Sequence, residues 1–425
     1  MTSRHFSDRH YEGAASGPFS FLNPTTRRIP LSSTQARQLG NSDASVDKSA
    51  QNESGANPET SAEDVHHLWR TRDNRKGRHA IAVNPVADKN ARFLTPPSTS
   101  TLRATLRGII RMFTTYPYWD VSYLVAVVFT LGSVIWCINA CFVWLPLVSP
   151  SSEFPGEILD GGGWTAFIGA TVFEFGSVLL MLEAVNENRA DCFGWALEEV
   201  LEEHGLIRIT PGKCSHHHQN KKNFVGRGNE STDKPKHGTG MESKDHPDSK
   251  NPRTWTWWPS WYELRTHYVK EIGFLACAFQ MFGATVFWIS GFTALPKIQE
   301  ALSTPPALNG AYWAPQVVGG SGFIISGVLF MLETQQKWYL PAYTVLGWHI
   351  GAWNLIGGIG FTLCGALGFA ASSNTGVAYQ SSLATFWGSW AFLIGSAIQW
   401  FEALDKHPVD IETGGGRVAD TQPVA

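Results

Sequence analysis

A chain of 425 residues with net charge −3 and 43% hydrophobic residues has, on average, the composition of an ordinary soluble protein. That average hides two populations: polar stretches unable to bury a core, and long runs with almost no charge. The near-neutral balance points to no nucleic-acid partner, and six scattered cysteines form neither a CxxC pair nor an extracellular framework.

Residues 1–110 are rich in Ser, Thr, Asn, Asp, Arg and His, with little apolar clustering. Such a segment cannot offset the entropy of ordering, so disorder is expected there. No signal peptide is visible in the first twenty residues, which leaves the first apolar helix to serve as the targeting signal. Six runs then reach the roughly 20 residues needed to cross a bilayer: Val121–Trp144, Trp164–Val185, Ile272–Leu295, Val318–Thr334, Leu346–Ala370 and Ala384–Leu404. The Gly-rich "VVGGSG" blurs the start of the fourth. Cys137 and Cys141 share a face of the first helix, where packing is the expected role.

After the second run, residues 192–204 place Phe193, Ala196, Leu197, Val200 and Leu201 on one helical face. Glu198, Glu199, Glu202 and Glu203 occupy the other face, which suits packing on the protein's own cytoplasmic face or on a partner better than a lipid surface. Residues 208–253 and the tail 406–425 are polar and expected to be disordered. The "CSHHH" run from Cys214 sits in that loop, without a second ligand cluster, so no metal site is assigned to it. The partition is 1–110 disordered, 111–207 first hairpin plus amphipathic helix, 208–253 disordered loop, 254–405 second and third hairpins, and 406–425 disordered tail. The expected class is all-α, a polytopic membrane protein.

Lys and Arg set the orientation. Arg103, Arg107 and Arg111 precede the first helix; Arg189, Arg265 and Lys270 flank the long loop; Lys337 and Lys406 follow the fourth and sixth helices. The opposite loops carry only Lys297. Both termini are therefore expected in the cytoplasm, which leaves the N-x-S sites at Asn52 and Asn229 unglycosylated.

One phrase occurs three times: "GSVLLMLEAVNE", "SGVLFMLETQQK" and "GSAIQWFEALDK". Aligned on Glu183, Glu333 and Glu402, Gly169, Gly319 and Gly388 stand fourteen residues earlier. The pairs Gly176–Ser177, Ser326–Gly327 and Gly395–Ser396 stand seven and six residues earlier. Seven residues is nearly two turns, so the small residues form one stripe on each even-numbered helix. In lipid such stripes let backbones approach, so a helix contact repeated three times is expected. Pro117, Pro259 and Pro341 precede the odd helices, making the unit a two-helix hairpin used three times, with a pseudo-threefold axis along the membrane normal.

The stretches "YPYWDVSYLVAVVF", "EFGSVLLMLEAVNENRADCFGWALEE" and "SGFIISGVLFMLETQQKWYLP" resemble a family of uncharacterised fungal multi-pass membrane proteins, whose hairpins are similar to the YrhK-type two-helix module. Over residues 110–405 this resemblance implies a fold but no established activity, so it assigns no catalytic residue.

The candidate functional carboxylates are Glu174, Glu183, Glu333 and Glu402. Glu333 precedes Lys337 by four and Glu402 precedes Lys406 by four, the order for helical ion pairs. A carboxylate at a helix C-terminus opposes the macrodipole, which argues for a further role, such as a ring at the inner mouth of a cavity. Glu174 lies near the middle of its helix, where its repeat equivalents are Ile324 and Leu393. It is read either as hydrogen-bonded glue or as a transport or proton-relay site. Asn139, Gln280, Asn354 and Gln399 are further polar residues within the helices. Without a catalytic motif no enzyme and no cofactor are expected. The expected role is a membrane scaffold or assembly protein, with a small-solute, proton or cation transporter as the alternative.

Overall fold

The computed structural model describes residues 15–30, 65–83, 99–194, 196–197 and 255–411. Its body is six long helices: α3 (Val121–Val148), α4 (Gly163–Val185), α5 (Ile272–Thr293), α6 (Ala314–Glu333), α7 (Leu346–Ala371) and α8 (Thr375–Leu404). Before them lie the short helix α1 (Thr71–Arg75) and the amphipathic helix α2 (Leu102–Thr114). Local chemistry sets several of these starts. The Asp120 carboxylate accepts from Ser122 N at 2.8 Å to open α3, and Asn374 accepts from Gly376 N at 2.9 Å to open α8. Single π-type turns, Glu157–Gly162 and Asn309–Trp313, run directly into α4 and α6.

Each long helix packs on its neighbours in sequence, and α8 packs back on α3, so the six close into a ring. The described residues are mostly helical, and among them five helices are long and apolar enough to cross a membrane. Helix α8, at 30 residues, is more polar, but its Ser381, Ser382, Thr385 and Ser389 are all buried within the bundle.

Aromatic rings fill the ring's axis in two layers. Trp136, Phe287 and Phe361 meet with centroids 4.9–5.5 Å apart. Phe173, Phe323 and Phe392 form the second triad, at 5.5–6.4 Å. Phe287 on Phe323 (5.7 Å) and Phe361 on Phe392 (5.4 Å) join the layers. Edge-to-face pairs of this kind add stabilisation beyond area burial.

At one end the helices carry a five-stranded sheet: β1 (Ala15–Ser16), β2 (Thr26–Pro30), β3 (Val65–Arg70), β4 (Ala80–Val83) and β5 (Val409–Ile411). The first four pair antiparallel, and β5 joins β4 in parallel. Within the segment 1–110 expected to be disordered, the described residues 15–30, 65–83 and 99–110 carry strands and helices, and β5 falls at the start of the 406–425 tail. The small sheet is an addition to the helical class expected from the sequence. Its order has a physical source: four short strands from the N-terminal side and one from the C-terminal side pair together against the helix ends.

Candidate functional site

The turn between β3 and β4 carries "TRDNRKGR", and α1 inserts it into the helix ends of α4, α6 and α8. All three repeated glutamates are fully buried there: Glu183 0%, Glu333 1% and Glu402 1% exposed. Arg75 binds two of them. Its Nε donates to Glu183 Oε1 at 3.0 Å, while its two Nη atoms donate to Glu333 at 2.7 and 3.1 Å. Arg72 donates to Glu402 through Nε at 3.2 Å and Nη2 at 2.8 Å, and Arg78 Nη1 adds a third donor at 3.2 Å. Thr71 Oγ1 also donates to Glu333, at 3.4 Å.

Burying each of these ions costs several kcal/mol, and bidentate pairing is what offsets it. Burial works against the charge on Arg72 and Arg75, but Glu402 and Glu333 outweigh it and hold both guanidinium groups above their ordinary range. The cations also face the negative ends of three helices, where carboxylates alone would be unfavourable. Two glycines make room for them. A Cβ on Gly273 would collide with the Arg75 guanidinium and the Glu333 carboxylate, and one on Gly347 would lie 2.5 Å from Arg72 Nε.

Lys76 is the exception among these cations. It is 1% exposed, its Nζ has no hydrogen-bond partner among the described residues, and the Glu402 carboxylate stands 3.6 Å away. Burial lowers its pKa against the opposing pull of Glu183 and Glu402. With Arg72 and Arg75 it lines a cavity that reaches up to Phe173 and Phe392 and includes Ser133, Gln280, Asn354 and Gln399. About 20 Å³ of it is open to the centre of a water-sized particle, room for one or two waters.

The C-terminus closes over this site. Arg78 Nε donates to Asp405 O at 2.8 Å, His79 N donates to Lys406 O at 2.8 Å, and Lys406 Nζ reaches Lys76 O at 2.8 Å. Lys406 Nζ also pairs with Asp120 at 2.5 Å.

The structure thus brings Glu183, Glu333 and Glu402 together but pairs them elsewhere than the helical spacing suggested. Lys406 serves Asp120, and Lys337 stands 5.8 Å over the ring of Tyr339. Glu174 lies apart, half-buried between α4 and α5, where it accepts from Thr285 Oγ1 at 2.9 Å. It does not line the cavity. Asn139 is satisfied locally, donating to Gly162 O at 2.6 Å and to Thr165.

The small residues Gly169, Gly176, Ser177, Gly319, Ser326, Gly327, Gly388, Gly395 and Ser396 are all buried. Six of them lie against a neighbouring helix: Gly169 faces Trp136, Gly176 faces Phe129, Gly319 faces Gly283, Gly327 faces Leu355, Gly388 faces Gly357 and Gly395 faces Asn354.

Among the described residues one group of potential metal ligands converges: Glu187, His267 and Glu271, with donor atoms within 4.8 Å of one another. Of the 192–204 helix, Phe193 and Ala196 are buried and Leu197 is exposed, and residues from 198 lie outside the described region. Cys214, Asn52 and Asn229 lie outside it too. No protein family, curated protein or solved structure matches the chain.

Proposed function

We propose that the chain spans a membrane six times, as three two-helix hairpins with both ends in the cytoplasm, and serves there as a non-enzymatic scaffold. Helix α8 completes the sixth span, since its Ser381, Ser382, Thr385 and Ser389 face the bundle and not lipid. The placement of Arg, Lys and the charged turn at one end supports a cytoplasmic sheet. The likeness to YrhK-type hairpins belongs to this proposal, as an account of the repeat.

The observation that supports the scaffold reading most is closure of the axis. Two aromatic triads block one side of the cavity, the ion-paired turn blocks the other, and Glu174 stays outside it. Purified protein in liposomes is therefore expected to leak protons and small ions no faster than empty liposomes. A pH-dependent flux abolished by Glu174→Gln would overturn the reading. Glycan mapping tests the orientation, because glycosylation at native Asn229 would reverse it.

A second reading is favoured by Lys76 and the polar cavity beside it, which suit a transporter held shut by its own N-terminal segment. In that case Arg72→Ala with Arg75→Ala would open a flux that wild type lacks.

A further inference from the structure

Helix α2 plays no part in the charged site, and none of its residues is buried. Thr101 opens it, its side chain accepting from Ala104 N at 3.3 Å, and it runs for 13 residues, about 20 Å. At about 100° per residue its side chains separate into three stripes. Ala104, Thr105, Gly108 and Met112 are half-buried and form the stripe against the bundle, where Gly108 lies directly against the Phe401 ring. Leu102, Leu106, Ile109, Ile110 and Phe113 form a second stripe and point away; Leu102 is 76% and Phe113 66% exposed. Arg103, Arg107 and Arg111, spaced by four, form the third, about 115° from the centre of the apolar stripe.

An exposed apolar stripe this size needs a nonpolar environment, and its neighbours indicate which. Phe113 touches Trp400 near the end of α8, with centroids 6.2 Å apart. That helix continues into exposed Ile394 and Trp390, part of the apolar outer surface. Around the same end stand exposed Tyr116, Tyr118, Trp258 and Trp261, residue types that favour the headgroup layer. The apolar stripe is thus continuous with the membrane-facing surface, and the basic stripe is complementary to phosphate.

We propose that α2 is a membrane-surface helix whose Arg103, Arg107 and Arg111 hold the headgroups of anionic phospholipids while its apolar stripe lies at the acyl boundary. Arg111 also lies in the field of Asp405, so Arg103 and Arg107 carry the larger share. The proposal rests on the membrane-spanning reading above.

The test reconstitutes the full chain from an equal mixture of phosphatidylserine and phosphatidylcholine and measures the lipids retained by mass spectrometry. Wild type should enrich phosphatidylserine on the order of tenfold, less at high salt. Arg103→Gln/Arg107→Gln/Arg111→Gln should lose that enrichment while keeping the wild-type melting temperature in phosphatidylcholine. Leu106→Ser/Phe113→Ser should weaken retention of both lipids around α2. No enrichment in wild type, or equal enrichment in the triple arginine variant, would overturn the proposal, as would binding of an acidic polypeptide in place of the lipid. A carbonate wash separates the two readings: wild type released from membranes refutes the spans, whereas wild type retained without lipid preference refutes the role of α2 alone.

Discussion

Glu402 accepts from Arg72 and Arg78 and lies 3.6 Å from Lys76, so one buried carboxylate neutralises the surroundings of three cations. Glu402→Gln would leave the buried Arg72 without its carboxylate, while Arg78 keeps Asp73 at 2.6 Å. The expected loss is about 3–5 kcal/mol, read by thermal or denaturant unfolding in detergent. Removing both sides, with Arg72→Met and Glu402→Met, should cost less than the sum of the single changes. Glu174→Gln should cost under about 1 kcal/mol, since glutamine can still accept from Thr285 across the α4–α5 contact. Glu271 gives a pH signature. Burial first, and Glu187 second, push its pKa from the ordinary 4.5 up to about 7. Between those values the folded state holds a proton that the unfolded state has released. Stability should therefore fall as pH rises from about 4.5 to 7 and level off above, and Glu271→Gln should flatten that slope. A slope unchanged in the variant would assign the titration to another group.

At the scale of elements, the repeated stripe was legible because small residues at a seven-residue spacing must share a helix face. Its contacts differ in closeness, which the sequence does not reveal. A Cβ on Gly319 would lie 2.7 Å from the backbone of Gly283 and Phe287, whereas one on Gly176 would stand 3.2 Å from the end of the Phe129 ring. Gly319→Ala should therefore lower the melting temperature clearly more than Gly176→Ala, because a ring can turn aside and a backbone cannot. Equal effects would mean that α5 and α6 separate at little cost. The same alignment carries a second repeated position. Phe173, Phe323 and Phe392 each stand ten residues before their glutamate, and they form one of the axial triads. A phenylalanine inside an apolar helix looks like any other core residue; only its recurrence in register distinguished it. Helix α2 was missed because its apolar stripe is broken by arginine at every fourth position, which reads as a polar segment until its neighbours are known.

For the whole molecule, the helical body followed from apolar run length, but the partner of the glutamates did not. Their cations lie in "TRDNRKGR", more than 100 residues from Glu183 and more than 300 from Glu402. An eight-residue charged turn has the composition of a disordered segment, and only the waiting carboxylates make its burial favourable. Helical spacing points instead to Lys337 and Lys406, because local rules cannot reach across the chain. The repeated glutamates hold residues 71–78 within the helix ends. Hydrogen exchange followed by mass spectrometry measures this directly, comparing wild type with the Glu183→Gln/Glu333→Gln/Glu402→Gln variant. Protection of the 71–79 peptide in wild type, lost in the variant while the centres of α6 and α7 stay protected, is the predicted result. Exchange of that peptide in wild type as fast as in an unfolded chain would contradict it.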